Sequence, residues 1–448
     1  MKIKNGTIWL GFTSFLLTML LCSSDAGAAA TDDATHGILA GMHMQWGGYA
    51  RVIGTWTHTN DDTLYAKADE GPYSDGQAEV RLKNQLYIGS RWSVETHYEL
   101  VASKGETRKA SQHLLAELSG SPASSLFLDR PIDDASRLMD LSHTLVENDD
   151  AIVYHRLDRL NLTWTPAWGT VRLGRQALTW GDGLIFNPMD LFNPFAPTAV
   201  QRDYKTGDDM ALVQLPVGQS DAQLLYLPRR DPLTGNVEGD QSSYAVRYHT
   251  FIGSLEASAM AASHFDDPIL AVGGSGYLGE AAWRINTVYT RLAKETGQDN
   301  FFQAVVNIDY AWMWGGKNVY GLMEFYYNGL GTAGEYQQAL QNKPLTDRLS
   351  RGEMFTLGRY YLAGQIQAEL HPLVQFYTTA ILNLSDPSGF IQPQVVWDVA
   401  TDLQLIFGGQ WHWGKEDTEF GGFNAELDGT VISIAPNDQT YVWLTYYF

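Results

Sequence analysis

The sequence predicts an all-β fold, a transmembrane antiparallel β-barrel of about 18 strands with outer loops folded inward. Three observations carry this: an export-type N-terminus without a later helical span, a long series of alternating segments, and connections that alternate short and long. Residues 1–30 read as a cleaved signal peptide, with Lys2 and Lys4 ahead of the apolar run Ile8–Leu21 and small residues at Ala26–Ala30. Leu20 and Leu21 precede Cys22, where a lipoprotein signal wants a small residue, so an ordinary secretory signal is expected. Residues 31–448 then form one barrel domain without cysteine, which excludes disulfides and cysteine-based chemistry. No later stretch reaches the roughly 18 apolar residues of a membrane helix, yet the chain holds 23 Tyr, 14 Trp and 18 Phe. A net charge of −21 is the wrong sign for a nucleic-acid binder. A soluble β-sandwich or propeller is the rival that composition alone leaves open.

Period-two alternation separates the two classes. Ala78, Val80, Leu82, Leu86 and Ile88 share one face, while Glu79, Arg81, Lys83 and Gln85 share the other. Trp92–Leu100, Phe302–Trp312, Val319–Asn328, Leu357–Leu370, Val374–Leu384, Gly389–Val399 and Leu403–Trp413 repeat the pattern. Short turns at 89–91, 166–169, 218–220, 253–254, 314–318 and 371–372 alternate with longer acidic links. Those links cover 58–75, 104–150, 179–207, 231–241, 292–299, 330–352 and 414–436. Short periplasmic turns against long outer loops are the asymmetry of outer-membrane barrels. Within 104–150, Asp133-Asp134 is placed to cap a helix carrying Ile132, Ala135, Leu138, Leu141 and Leu145, and Ala110, Leu114, Leu115 and Leu118 suggest a shorter one.

The last strand, Tyr441–Phe448, sets Val442, Leu444, Tyr446 and the terminal Phe448 on one face. It looks like the strand by which the outer-membrane assembly machinery takes up its clients. Integral placement in a bacterial outer membrane, among its lipids and lipopolysaccharide, follows.

Charge on the lipid face costs roughly 2–4 kcal/mol at mid-strand, so charged residues are assigned to the lumen. By parity these are Arg51, Arg81, Lys83, Arg159, Arg172, Arg247, Arg284 and Arg359, with Glu79, Glu95, Glu99, Asp309, Glu324, Glu369 and Asp398. The mixture fits either a water-filled passage or a static network of ion pairs.

Thr170–Asp209 joins a strand to a loop too apolar for water. Folded into the mouth, Phe186, Asn187, Pro188, Phe192, Asn193 and Pro194 would form a constriction, with Asp182, Arg202, Asp203 and Lys205 along the path. The alternative is a loop that packs over the rim. Arg175 shares parity with Val171 and Leu173; a bulge at Gly174 would turn it inward, and otherwise it lies above the bilayer at the loop root.

Other motifs carry less. Gly274, Gly276 and Gly279 match a dinucleotide fingerprint, but a strand follows where a helix is needed, so a hairpin is expected. The acidic doublets lack calcium-loop spacing, the histidines lack ligand spacing, and no nucleophile elbow is present. No cofactor, metal or catalytic site is therefore expected.

Gly174-Arg175-Gln176, Trp180-Gly181-Asp182-Gly183 and Phe186-Asn187-Pro188 resemble the pattern of porin-like outer-membrane proteins, nearest the alginate-export type. Asp309–Asn318 and Tyr326–Leu330 share that likeness. The resemblance implies a monomeric barrel with a charged lumen. Diffusion or export of a hydrophilic, carboxylated solute is the expectation. A closed barrel whose loops contact lipopolysaccharide or other cells is the alternative, and an outer-membrane hydrolase a third. The alginate exporter's passage is electropositive, whereas lumen charges here are nearly balanced by parity.

Overall fold

A computed structural model of the chain describes residues 41–59, 71–117, 134–195, 204–293, 297–427 and 430–448. The signal peptide, Leu118, Ile132, Asp133, Arg202 and Asp203 lie outside the described residues.

The wall begins with β1 (Met42–His58), β2 (Tyr73–Ile88) and β3 (Trp92–Gly105). Helix α1 (Glu106–Glu117) and strand β4 (Ser142–Glu147) precede β5 (Ala151–Trp164). There follow β6 (Thr170–Gln176), β7 (Asp208–Val217), β8 (Ser220–Leu227), β9 (Ser243–Ile252) and β10 (Leu255–His264). Next come β11 (Asp267–Leu278), β12 (Ala281–Arg291), β13 (Asn300–Trp314) and β14 (Lys317–Asn328). Helices α2 (Tyr336–Ala339) and α3 (Lys343–Arg351) occupy the following loop. The wall resumes with β15 (Tyr360–His371), β16 (Val374–Asn383), β17 (Ser388–Ala400) and β18 (Leu403–Trp413). A separate hairpin of β19 (Phe423–Leu427) and β20 (Thr430–Ile434) precedes β21 (Asp438–Tyr447).

Antiparallel pairing runs round the wall, and β21 pairs with both β18 and β1, so 18 strands close into a barrel. Closure removes the unpaired edge that hydrocarbon would not tolerate. The terminal residue takes part: Gly48 N–H donates to Phe448 O at 2.9 Å, and Phe448 N–H to Gly48 O at 3.2 Å. A Cβ on Gly48 would stand 2.2 Å from Arg81 O and 2.9 Å from the Phe448 ring. Only glycine permits that approach.

Alternation sorts the faces as the sequence predicts. Leu173, Val272, Met323, Phe407 and Leu444 are exposed on the outside, while Arg51, Glu99 and Glu324 on the inside are at most 1% exposed. The glycine motif at 274–279 runs along β11 into the β11–β12 turn, as the hairpin reading requires.

Two expectations need correction. The helix anticipated from Asp134 to Leu145 is absent: 142–147 is β4, paired with β5. β6 is the shortest wall strand and leaves the upper edge of β5 open, and β4 fills it. The Asp134 carboxylate, expected to cap a helix, instead accepts the Leu141 N–H at 2.7 Å. The shorter helix does exist as α1, with Ala110 and Leu114 buried. The length alternation is also incomplete, because β10–β11 and β16–β17 are joined by tight connections on the loop side.

Candidate functional site

Residues 177–195 do not stand over the rim. They enter the barrel and cross to the far wall. Trp180 Nε1 donates to Gln223 on β8 at 2.6 Å, and Asp182 N–H to Asn286 on β12 at 2.7 Å. Then Leu184, Ile185 and Phe186 turn their N–H groups onto the Glu324 carboxylate of β14, at 2.9, 3.1 and 2.6 Å. A carboxylate facing successive amides is an anion in a backbone nest.

Hydrophobic burial explains the route. Trp180, Met189, Leu191 and Phe192 pack on inward side chains of β7 to β12, among them Met210, Leu225, Met260 and Val288. Ile185 and Phe186 pack on Val305, Leu322, Tyr361 and Ile381 of β13 to β16. Phe186 stacks on Tyr326 with ring centroids 4.5 Å apart. The loop's apolar residues thus find an inner wall that is itself apolar, and each covers the other from water.

The returning limb meets a charged wall. The Arg81 guanidinium bonds to Glu99, and to Asp158 at 2.6 Å, and lies 3.9 Å over the Tyr204 ring. Arg156 Nε reaches Glu99 at 2.6 Å, and Arg159 pairs with Asp158. Gly207 N–H donates to Asp158 at 3.0 Å, and Arg159 to Lys205 O at 2.7 Å. A register shift makes this cluster: His97 faces Arg159 and Tyr98 faces Leu157, leaving Asp158 as an unpaired bulge. Arg156, Asp158 and Arg159 are then all buried on the lumen side. Sequence reasoning missed Arg156 and Asp158. Its available signal was charge of both parities within one strand, which lipid forbids unless a bulge intervenes.

The predicted residues fall into groups. Arg51, Arg81 and Arg159 are buried inside, with Arg51 against Tyr49 and Trp443, its guanidinium carbon 4.6 and 4.7 Å from their ring centroids. Arg172, Arg247 and Arg284 face inward toward the turn end and keep partial exposure; Arg284 pairs with Asp309, and Arg172 donates to Thr163 at 3.3 Å. Asp182 and Glu324 hold the loop. Arg359 precedes β15 and donates to Gly331 O at 2.9 Å, so it fastens a loop root. Lys205 bonds to Asp190 and to Leu178 O, tying the loop's two limbs. Asn193 bridges the same limbs through Leu178 N–H and Thr206 O, while Asn187, Pro188 and Pro194 border a small cavity beneath Met354–Thr356.

Arg175 is the correction among them. It does not reach the lumen. The register through Gly174 is regular, so Arg175 keeps the outward parity of Leu173 and is buried between the wall and residues 134–141. Its guanidinium meets Asp209 at 2.8 and 3.1 Å, Asp134 at 3.0 Å and Met139 O at 2.6 Å. The backbone of Gly174, at φ +115°, allows this without a bulge, and a Cβ there would meet Leu160 O at 2.3 Å.

Toward the turn end the inner wall changes character. Gln365, Gln367, Tyr377, Thr379, Gln394 and Gln404 face inward from β15 to β18 and stay part-exposed, as do Glu95 and His97 across the lumen. At the level of the loop, by contrast, inward side chains are buried from Arg51 on β1 round to Trp443 on β21.

One constellation has catalytic order. Ser243 Oγ lies 2.7 Å from His264 Nδ1, and His264 Nε2 lies 3.1 Å from Glu353. The hydroxyl is 0% exposed and Phe192 packs edge-on to the imidazole, so no substrate reaches it. The trio fastens the 343–359 loop to β10. His264 and Arg351 hold the Glu353 carboxyl well below the usual range although burial opposes them.

Among solved structures, the fold is similar to OccAB2 of Acinetobacter baumannii, with a TM-score of 0.50, 11% identity, and coverage of 90% of this chain and 98% of that one. OccAB1 of Acinetobacter baumannii follows at a TM-score of 0.49 and 11% identity, covering 94% and 99%. OccK2 (OpdF) of Pseudomonas aeruginosa in complex with glucuronate has a TM-score of 0.49 and 9% identity, covering 90% and 98%. The sequence matches no family model and no curated protein. At such identities the likeness concerns the fold. That fold is a closed, 18-stranded antiparallel β-barrel.

Proposed function

We propose that the protein is an outer-membrane porin-like channel for diffusion or export of a hydrophilic, carboxylated solute, with 177–207 as its constriction. The observation that carries this reading is partial exposure inside a closed wall. Lys83, Arg172, Gln365 and Gln394 face inward and yet remain accessible, so the barrel encloses wettable space toward its turn end. The constriction reading rests on the buried ring at the level of the loop. Arginine forks suit carboxylates, and the opposite band of amides and hydroxyls suits the body of a polar solute. The long loops face outward, and Phe448 serves the assembly machinery. The alginate-export likeness is retained for architecture alone.

The same buried ring supports a second reading, a closed barrel whose outer loops engage lipopolysaccharide. Planar-bilayer recording separates the two. Discrete open levels are expected, together with swelling of liposomes in small sugars; a barrel that conducts under no voltage or solute condition refutes the channel.

A further inference from the structure

A recess on the outer face of the wall carries an inference of its own. Across β5, β6, β7 and β8, Leu162, Leu173, Ala211 and Tyr226 stand directly opposite one another in one outward row. Leu162, Leu173 and Tyr226 are exposed. Above them, Leu138 and Met139 project from the 134–141 segment and make an overhang, and the space between has a volume of about 520 Å³. That lies within the roughly 300–1,000 Å³ of ligand-binding clefts.

The overhang is not loosely laid down. Arg175 holds Met139 O, Asp209 holds Met139 N–H at 2.7 Å, and Asp134 joins Arg175 to Leu141 N–H. The polar groups nearby are therefore consumed in fastening the roof, which leaves a recess walled almost wholly by carbon. Its floor belongs to the set of side chains that meet hydrocarbon, so it opens to the bilayer and not to water. Its floor crosses the middle of β6 at Leu173, and its roof closes it from the loop side, the side of the outer leaflet.

We propose that this recess holds one acyl chain of an outer-leaflet lipid as a resident, separate from the exchanging lipids around the rest of the belt. The shape accounts for retention: a chain on open wall is covered on one side only, whereas here it is covered by floor and roof. Lipid occupancy also gives the Arg175–Asp209–Asp134 cluster a role, as the clamp that keeps the roof at the height of a chain.

Native mass spectrometry tests this on the whole barrel, reconstituted in vesicles of a single phosphatidylethanolamine and then extracted into delipidating detergent. The unsubstituted barrel is expected to carry one phospholipid. Leu173→Trp and, as a milder filling, Ala211→Leu should each reduce that adduct several-fold, while Val272→Trp on the plain wall of β11 leaves it unchanged. Heat-dependent gel mobility confirms that each variant is folded. The proposal is overturned by an unsubstituted barrel that emerges bare, or by adducts surviving at full occupancy in both filled variants. A two-barrel species lost in the same variants would overturn it in favour of an interface between copies.

Discussion

Glu324 on β14 accepts the Phe186 N–H at 2.6 Å, and its two oxygens also take the N–H groups of Leu184 and Ile185. One wall side chain thus fixes the tip of the loop across the lumen. Hydrogen bonds to a charged group contribute about 1.5–3 kcal/mol each, and buried donors left without a partner cost about 1–3 kcal/mol. Glu324→Leu should therefore release the tip while leaving the wall strands paired. Single-channel conductance is expected to rise and become noisier, with Glu324→Gln intermediate because its amide oxygen still accepts. Identical conductance in all three proteins would remove the latch role.

Shortening the loop probes the proposed constriction without altering the wall strands. Deletion of residues 187–197 removes Phe192 and the prolines but keeps the Glu324 contacts. The apolar inner faces of β7 to β12 then meet water, so a lower melting temperature accompanies the change. Conductance should increase if this limb narrows the path. An unchanged open level would reduce the loop to packing material.

Asp190 gives the loop a pH dependence. Burial pushes its carboxyl up to about 6, against the opposing pull of Lys205 and the Trp180 backbone. A raised acid pKa means that the folded state binds the proton more tightly, so this residue's contribution to stability declines as pH rises from about 4 to about 6. Below about 6 the acid is neutral, and one negative charge is removed from the path. Reversal potentials should then shift toward anions with a midpoint near 6, and Asp190→Asn should show the acidic behaviour at every pH. A flat selectivity profile between pH 5 and 7 would dismiss the titration.

How far this was readable beforehand depended on which physics set each feature. Alternation placed Glu79, Arg81, Glu99 and Glu324 on the inner face, because lipid penalises the other choice at every strand. The apolar run Leu184–Phe192 announced a loop needing cover, and the barrel interior supplied it. The Asp158 bulge was hidden, since a register shift depends on both strands at once. So was β4: residues 135–145 carry a helical spacing, and only the open edge of β5 above β6 makes a strand of 142–147. Arg175 was ambiguous because its outcome turned on one glycine torsion and on a loop distant in sequence.

The buried and the part-exposed arginines should behave differently. Arg81 is shared between Glu99 and Asp158, and all three are at most 3% exposed. Removing one partner of a buried pair costs roughly 3–5 kcal/mol, so Arg81→Ala is expected to lower the melting temperature sharply. Arg172 keeps contact with the lumen and bonds to a neutral hydroxyl. Arg172→Gln should change stability by no more than about 0.5 kcal/mol, yet move the reversal potential toward cations. The opposite ranking, with Arg172 the structural residue, would contradict this division of the lumen.

The clamp on the outer face has its own acid limit. Arg137, the Leu141 N–H and Arg175 bring the Asp134 carboxyl down to about 2, overcoming the effect of burial. A depressed acid pKa contributes stability that is present above about 4 and lost as pH falls toward 2. The overhang should therefore loosen in that window while the wall, held by strand pairing, stays closed. Amide exchange at Met139 and Leu141 reads it directly, since both donate into the cluster. Protection at these two amides should collapse between pH 4 and 2, and Asp134→Ala, which removes the acceptor, should lower it already at neutral pH, most at Leu141. Protection that persists at pH 2 would mean that packing of Leu138 and Met139, and not the Arg175 clamp, holds the roof in place.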